Sequence, residues 1–523
     1  MEKKFEAHGI LSGAAWLTFA AVFVKFMGLM YKIPLAHILT DEGMGYFNAA
    51  YTIYSLLYLL GTAGVPKAIT VLISGCVSDV EKEKQRIFSV ATRFFFVLGV
   101  FSFFLLMLFS RPISHWIGSP DAYPTILLIS PCLLFSAVGG VYRGYLTAEG
   151  NFAATAISSA IEACAKLFLG IAFIWLARTL KMSLPWVCAF AVLGIGMGTF
   201  FSTLYLRFHV KNENNSNKAE QFLKTEQKEI IKRVLRIAIP ITLGSLAAGL
   251  SSLIDLSMII KRLTFGGLSV KQATAMYGNY TALAVPMLQL ASALLAPISV
   301  VLLPRLASAF AQGNRLEWTS ALRFGTDISA FFSIPLAFVF FFFPKQLLSL
   351  LFPLESAESA APLLRLLSIG VVAISVLFIF NTALEAIGKA RLQMISMLVG
   401  VAIKIPISYF LLGRAEYGIA GAPIGTVASY VASFLFSYFC LLKIFGGATE
   451  FFSSYHLPLI NAVFSVLCAF FSFKLLGISP DNGRQGIVLL FIFAAAYVTF
   501  SYFTGVLRLD KIKKIAKQTK GNA

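Results

Sequence analysis

The sequence predicts an all-α polytopic membrane protein, and three observations indicate this fold class. Of the 523 residues, 58% are hydrophobic and only 13% are charged. The mean hydropathy of +0.81 lies above the range of water-soluble domains. Apolar runs of about 20 residues, long enough to cross a hydrocarbon core of about 30 Å, recur along the whole chain. They leave no room for a sizeable soluble domain.

Fourteen transmembrane helices are predicted along the chain. Six precede a polar stretch at 211–232, six follow it, and two lie near the C-terminus. Their approximate bounds are 10–30, 48–76, 88–110, 124–147, 152–177, 185–207, 234–260, 276–303, 324–344, 363–387, 391–413, 417–442, 456–477 and 485–506. The polar stretch is rich in Asn, Lys and Glu, which is typical of a flexible linker.

An internal repeat relates the first six spans to the next six. With an offset that grows slowly along the chain, several positions match in the same order. The matches are Tyr46 with Tyr277, Asn48 with Asn279, Pro66 with Pro297, Pro120 with Pro353, Gly150 with Gly388 and Lys166 with Lys404. Two halves with even numbers of spans that begin on the same side form a parallel repeat, with the substrate path between them.

We therefore predict two six-helix lobes followed by two further helices. The N-lobe covers residues 1–210, a cytoplasmic linker covers 211–232, and the C-lobe covers 233–443. Residues 444–523 hold the last two spans and a basic cytoplasmic tail.

The net charge of +19 indicates topology rather than nucleic-acid binding. Most of the 43 lysines and arginines lie on the side that holds the N-terminus, and Arg143 is counted among them. By the positive-inside rule, this bias places both termini in the cytoplasm, where the basic residues face anionic headgroups. We expect no nucleic-acid partner.

Several cations lie within or at the edges of spans, where charge is costly. They are Lys25, Lys67, Arg93, Lys166 and Lys404. A lysine at the centre of a membrane helix costs roughly 2.5 to 3.5 kcal/mol, so its side chain is expected to face protein or water. We predict that these cations bind an anionic substrate group. The alternative for Lys25 is snorkelling, for Lys67 a helix end, and for Lys166 an i,i+4 ion pair with Glu162.

Two carboxylates and two prolines complete the predicted site. Asp255 is expected to pair with a cation or to couple transport to Na⁺ or H⁺, with a polar contact between helices as the alternative. Glu162 is likewise predicted as a coupling-ion or salt-bridge residue. Pro66 and its repeat partner Pro297 are predicted to break their helices and to allow gating, because proline lacks the backbone N–H.

Other chemistry finds no support in the sequence. The six cysteines and five histidines are scattered without metal-ligand spacing, and no nucleophile triad or phosphate loop is found. Gly194, Gly196 and Gly198 lie in an apolar span, so close helix packing explains them better than nucleotide binding. We predict no catalytic residues, no metal site and no cofactor, and we leave Na⁺ or H⁺ coupling open.

A pattern near the N-terminus resembles a known transporter family. It consists of Lys25-x-x-Gly28-x-x-Tyr31-Lys32-Ile33-Pro34, then Tyr46-Phe47-Asn48, then Gly64-Val65-Pro66-Lys67. It is similar to the polysaccharide-exporter branch of the multidrug/oligosaccharidyl-lipid/polysaccharide (MOP) superfamily. Within that branch, the resemblance is to stage V sporulation protein B-like proteins, which are related to lipid II (murein precursor) flippases.

The resemblance implies a flippase in the bacterial cell membrane. Its substrate is an undecaprenyl-diphosphate-linked cell-wall precursor, either lipid II or a related unit, which moves from the inner to the outer leaflet by alternating access. Lys25 then contacts the pyrophosphate, and cell-wall synthases are expected as partners. Lipid II flippases of this branch carry an arginine in the middle of the second span, which residues 54–60 lack here. The identity of the sugar unit therefore stays open.

Two other functions compete with the flippase. A cation-coupled multidrug exporter of the same superfamily would need carboxylates for its cationic substrates, whereas the first lobe offers mainly cations. A membrane-embedded glycosyltransferase or polymerase would need catalytic carboxylates or a long arginine-rich outer loop. The predicted outer loops are short, which favours a transporter over an enzyme.

Overall fold

The computed structural model describes residues 23–62, 64–75, 80–210, 224–445, 451–476 and 483–506, together with Trp16 and Ala20. Most of the predicted first span before residue 23, the linker residues 211–223 and the basic tail from 507 onward lie outside the described residues. Every regular element within these ranges is helical, which confirms the all-α class.

Two compact units divide the chain, Met1–Gly278 and Asn279–Ala523. The helices of the first unit are α1 (23–38), α2 (Asp41–Thr62), α3 (Val65–Ser74), α4 (Val80–Trp116), α5 (Tyr123–Ile129), α6 (Pro131–Ala148), α7 (Phe152–Thr179), α8 (Leu184–His209), α9 (Lys224–Phe265) and α10 (Val270–Asn279). A π-helical turn, Tyr280–Ala284, opens the second unit. Its helices are α11 (Val285–Ala311), α12 (Arg315–Phe342), α13 (Pro344–Ser349), α14 (Leu354–Ala386), α15 (Ala390–Leu412), α16 (Gly421–Phe445), α17 (His456–Leu476) and α18 (Gly483–Phe503).

Many of these helices have the dimensions of membrane spans. Among the described residues, nine helical segments are long and apolar enough to cross a bilayer. α4 exposes Phe101, Phe104 and Leu108, each more than half accessible, as expected of a helix that faces lipid. The chain is therefore a multi-pass membrane protein. The count of fourteen spans stays a prediction.

The packing of α9 sets the boundary between the two compact units. α9 packs against α2 and α3, and a side chain at Gly64 would collide with the backbone of Ala238. Residues 224–232, which are predicted as linker, form the first turns of this helix. Arg233 and Glu229 stabilise it through an ion pair of 2.7 Å at i,i+4 spacing, which a polar composition does not reveal. The lobe boundaries derived from the repeat remain a prediction.

Gly150 and Gly388, which the sequence repeat aligns, lie in turns of the same kind, a turn that also occurs at Gly118, Gly267 and Gly313. Gly150 after α6 and Gly388 after α14 have φ angles of 77° and 74°, a conformation that favours glycine. In both turns the residue after the glycine donates its N–H to the carbonyl five residues earlier, at 2.8 and 2.9 Å. This geometry closes the C-terminus of each helix in the same way. Two positions aligned by sequence alone therefore make the same structure.

The two repeat-related prolines differ in their backbone. α2 ends at Thr62 and α3 begins at Val65, so the helix is interrupted next to Pro66. Pro66 itself lies in the first turn of α3. α11 runs without interruption through Pro297, where a break is predicted. A bundle tolerates such a proline because neighbouring groups satisfy the freed carbonyl. The backbone departs from α-helical geometry before α11, at the π-helical turn of residues 280–284.

The last two predicted spans form a hairpin within the second unit. α17 and α18 pack together and contact α12. The Tyr455 hydroxyl donates to Ser329 at 3.2 Å, and the Tyr497 hydroxyl donates to the carbonyl of Phe331 at 3.1 Å. These two hydrogen bonds, from the buried Tyr497 and the partly buried Tyr455, fix the hairpin against α12.

Candidate functional site

A column of aromatic rings runs along one face of α2. Phe47, Tyr51, Tyr54 and Tyr58 follow each other at ring-centroid distances of 6.0, 6.1 and 5.3 Å, and Tyr31 of α1 lies 5.9 Å from Phe47. The spacing of four, three and four residues keeps the α2 side chains on one face of the helix. This aromatic column covers about 16 Å of the helix axis, roughly half of a hydrocarbon core.

Lys166 of α7 lies against the column. Its Nζ is 4.8 Å from the ring centre of Tyr51 and 5.2 Å from that of Tyr31, both within cation–π range. The Tyr31 hydroxyl donates to the carbonyl of Ala191 at 2.7 Å, which fixes that ring. Within the described part of the chain, Lys166 does not form the i,i+4 ion pair with Glu162 that is its predicted alternative role. Glu162 is paired elsewhere.

Arg143 of α6 is the partner of Glu162. The two form an ion pair of 2.6 Å, with side chains that are 17% and 20% exposed. The guanidinium also donates to Ser202 at 3.0 Å, Tyr58 at 3.2 Å and Ser158 at 3.4 Å. We call these five residues the arginine cluster. It joins α2, α6, α7 and α8 at the Tyr58 end of the aromatic column.

This position corrects the predicted role of Arg143 as an ordinary cytoplasmic charge. Its side chain points into a polar cluster between four helices instead of toward the solution. Sequence reasoning overlooks it because a count of charges by side ignores where each side chain points. One signal was present, since Arg143 falls inside the predicted span 124–147. The helical spacing of its rings is the sequence feature from which the aromatic column could be predicted.

Further lysines give this region an excess of positive charge. Lys32 of α1 lies close enough to Lys166 for the two charges to repel each other. Lys25 precedes Lys32 by seven residues, which places it on the same face of α1 about 10 Å away along the axis. Lys25 is exposed. None of these three lysines forms an ion pair with a carboxylate of the described residues, so the site attracts anions.

Glycines allow the helices around the site to approach closely. A Cβ on Gly194 would lie 2.4 Å from the Cα of Gly170, and one on Gly198 would lie 2.7 Å from the carbonyl oxygen of Glu162. A Cβ on Gly170 would in turn meet the ring of Tyr31. These contacts confirm helix packing as the role of the glycines. They also hold α7, which carries Glu162, firmly against α8.

The other predicted site residues lie in separate places. Lys67 is exposed in the first turn of α3, and Arg93 is exposed on α4 in a groove between α4, α6 and α8. Asp255 is buried in α9, within the same compact unit as the aromatic column. Lys404 is fully buried in α15 of the second unit. Of the predicted cations, the structure thus brings only Lys166 into contact with the column.

The chemistry of the column and the arginine cluster suits a polar, anionic ligand. Faces of tyrosine rings pack against the apolar faces of sugars, and their hydroxyls serve as hydrogen-bond partners. Lysine and arginine donate charge-assisted hydrogen bonds to phosphate oxygens, which are about twice as strong as bonds between neutral groups. The only carboxylate of the cluster is already neutralised by Arg143.

Comparison with protein families places this architecture in context. Residues 10–310 match the model of a family described as "Polysaccharide biosynthesis protein", and residues 240–410 match the model of the MatE family. Stage V sporulation protein B of Bacillus subtilis (strain 168) is 24% identical over 80% of this chain and 81% of its own. Lipid II flippase MurJ of the same organism is 22% identical over 97% of this chain and 96% of its own.

Solved structures share the fold at low sequence identity. A structure of lipid II flippase MurJ in an inward closed conformation has a TM-score of 0.72 at 15% identity, over 94% of this chain and 99% of the other. An inward-facing multidrug resistance MATE family transporter of the MOP superfamily has a TM-score of 0.61 at 16% identity, over 82% and 94%. Both likenesses concern the fold alone.

Proposed function

This chain belongs to the polysaccharide biosynthesis protein family within the MOP superfamily, and on this premise we propose that it is a flippase for a lipid-linked cell-wall precursor. The substrate is an undecaprenyl-diphosphate-linked sugar, either lipid II or a related unit. It moves from the inner to the outer leaflet of a bacterial plasma membrane, in which both termini of the protein face the cytoplasm. The protein acts as a transporter and makes no covalent change to its substrate.

The observation that carries this proposal is the cationic aromatic site of the first unit. A diphosphate brings about two negative charges into the protein, and its dehydration must be offset by charge-assisted hydrogen bonds. Lys166, held on the rings of Tyr31 and Tyr51, has no carboxylate partner among the described residues and so keeps its N–H donors for such an anion. Lys32 and Lys25 extend the positive face along α1.

The remaining parts of the substrate have their own surroundings. The sugar packs on the partly exposed rings of the aromatic column, Tyr51 and Tyr58, whose hydroxyls lie about 10 Å apart along the helix axis. The polyprenyl tail stays in the lipid. We further propose that Asp255, buried in α9, responds to Na⁺ or H⁺ and links transport to an ion gradient. Recruitment by cell-wall synthases is a separate expectation.

The fold likeness to MATE transporters favours a second function, which is export of cationic drugs. A cation needs a free carboxylate in the binding site. Glu162, at the Tyr58 end of the column, is already bound by Arg143 at 2.6 Å, and the charge that lies on the rings of the column is that of Lys166. The charge of this site therefore favours an anionic substrate over a cationic one.

A flipping assay in proteoliposomes tests the proposal. A fluorescent lipid-linked disaccharide diphosphate is reconstituted with the protein, and a membrane-impermeant quencher reports its movement between leaflets. We expect Lys166→Met to lower the flipping rate about tenfold, because a charge-assisted bond to phosphate is lost. Lys25→Ala should also lower the rate if the pyrophosphate passes along α1.

Lys271→Met is the matched control, since Lys271 is an exposed lysine on α10 outside the column. Its rate should equal that of the wild-type protein. Equal rates for Lys166→Met and Lys271→Met would overturn the assignment of the site. Transport of a cationic dye without any movement of the lipid-linked diphosphate would instead establish the exporter.

A further inference from the structure

A second candidate ligand site lies on the outside of the first unit, away from the aromatic column. A groove of about 520 Å³ runs between α4, α6 and α8. Its lining is mainly apolar, with Phe96 from α4 and Phe135 and Val138 from α6. Two arginines interrupt this lining, Arg93 on α4 and Arg207 on α8. The volume is in the range of ligand-binding pockets.

Neither arginine of the groove is neutralised by the part of the protein that the structure describes. Arg93 forms no ion pair or hydrogen bond there, although it lies within an apolar helix. Arg207 donates only to the Tyr142 hydroxyl, at 3.5 Å. A guanidinium beside hydrocarbon is costly unless it meets an anion or water. The charge of the groove therefore calls for an anionic occupant.

The groove opens toward the hydrocarbon of the bilayer. On α4, the exposed side chains from Val97 to Phe109 are apolar and include Phe101, which is 62% accessible. On α8, Phe201 and Phe208 are exposed, and each directly follows a residue that lines the groove. Such a surface is in contact with lipid in a multi-pass protein. The molecules that reach the groove from this side are therefore membrane lipids.

The two arginines also lie at a suitable depth. Arg207 is in the last turn of α8, at the edge of the membrane span. Phe88, on the same groove wall as Arg93, follows Arg86, the last residue of the charged first turns of α4, by two residues. Arg93 lies five residues further along, about 8 Å deeper, from where a long side chain reaches back toward the headgroup level.

We propose that this groove binds one anionic phospholipid, such as phosphatidylglycerol. Arg93 and Arg207 hold the phosphodiester, and one acyl chain lies along Phe135 and Val138. The planar guanidinium matches phosphate oxygens in a two-point contact, which a lysine does not reproduce. This site is separate from the proposed transport site.

A phospholipid fits better than the lipid-linked sugar at this place. Besides the two arginines, the groove is lined by four hydroxyl side chains, Ser89, Thr92, Tyr142 and Thr203. The Thr203 hydroxyl already donates to the carbonyl of Phe135 at 3.0 Å, and the rest of the lining is apolar, so an extended sugar chain finds few hydrogen-bond partners. Arg143, the next residue on α6, points instead into the arginine cluster. α6 thus presents one side to the groove and another to the proposed transport site.

Lipid retention by purified protein tests the proposal. The full chain is reconstituted in nanodiscs of phosphatidylglycerol and phosphatidylethanolamine, extracted in mild detergent, and analysed by mass spectrometry for phospholipid retained per protein. We expect the double variant Arg93→Gln/Arg207→Gln to retain about tenfold less phosphatidylglycerol than wild type, because two charge-assisted contacts are lost. Arg315→Gln, which removes an exposed arginine in the second unit, is the matched control and should retain the wild-type amount.

A second variant blocks the groove and leaves both arginines in place. Ser89 is exposed and lines the groove next to Phe88, so Ser89→Trp fills the headgroup end of the groove and should cause a similar loss. Wild-type retention by either variant would overturn the proposal, as would equal retention of phosphatidylethanolamine. Displacement of phosphatidylglycerol by undecaprenyl diphosphate at equal concentration would assign the groove to the transported lipid instead. Because retention is measured without transport, its result is independent of the flipping assay.

Discussion

At the scale of single residues, the pair Arg143 and Glu162 illustrates how a buried charge is kept in a membrane protein. Glu162 accepts a 2.6 Å bond from a guanidinium whose other donors reach two serines and a tyrosine. A pair of this kind adds little net stability when both members are present, because each has lost its hydration. Loss of one member is far more harmful, since it leaves the other charge unpaired.

This asymmetry leads to a test by a double-mutant cycle. We expect Arg143→Met alone to destabilise the protein by roughly 3 kcal/mol, because Glu162 loses its cation. Glu162→Gln in the same chain should recover much of that loss, since the neutral amide needs no counter-charge. Thermal unfolding in detergent measures all four proteins. Additive effects of the two substitutions would show that the pair does not act as a unit.

Lys166 shows why part of the site is predictable from sequence and part is not. A lysine within an apolar run is visible by composition, and its repeat partner Lys404 is visible by alignment of the halves. Its partners are not visible, because Tyr31 and Tyr51 come from two other helices. The local rule of i,i+4 pairing favours Glu162 at this point. Arg143, from a third helix, binds that carboxylate instead.

At the scale of helices, composition identifies the spans better than their ends and breaks. The apolar run predicted at 185–207 corresponds to α8, Leu184–His209. The linker prediction is wrong for residues 224–232, because these residues form the first turns of α9. Charged residues at i,i+4 spacing stabilise those turns. The break predicted at Pro297 is not seen in α11, since whether a proline interrupts a helix depends on neighbours that the local sequence does not contain.

The contact between α7 and α8 makes a prediction at this scale. Gly194→Ala places a methyl group 2.4 Å from the Cα of Gly170, a backbone atom that cannot yield. We expect the helices to be forced apart, with a loss of about 1 to 3 kcal/mol in unfolding free energy and a lower melting temperature. Gly196→Ala on the same helix is the control, because its methyl group meets only Cys132 Sγ at 3.3 Å. Equal melting temperatures for the two variants would contradict the close contact.

At the scale of the whole molecule, one pair of positions that the sequence repeat aligns also has the same backbone conformation. Gly150 and Gly388 close equivalent helices with the same turn. In each half the helix after this turn carries a lysine in its interior, Lys166 in α7 and Lys404 in α15. The two lysines nevertheless differ in their surroundings. Lys166 is partly exposed beside aromatic rings, whereas Lys404 is fully buried.

These different surroundings predict different outcomes for the same substitution. Methionine has nearly the length of lysine and carries no charge, so it preserves packing at either site. If Lys404, like Lys166, is a cation that binds the substrate, Lys404→Met should abolish flipping in proteoliposomes and change the melting temperature by no more than a few degrees, because the packing is preserved. A melting temperature lowered by several degrees, with flipping retained at the temperature of the assay, would instead make Lys404 a structural residue of the second unit. In that case the anion site is confined to the first unit, and the two halves of the molecule have diverged in function while keeping a common backbone.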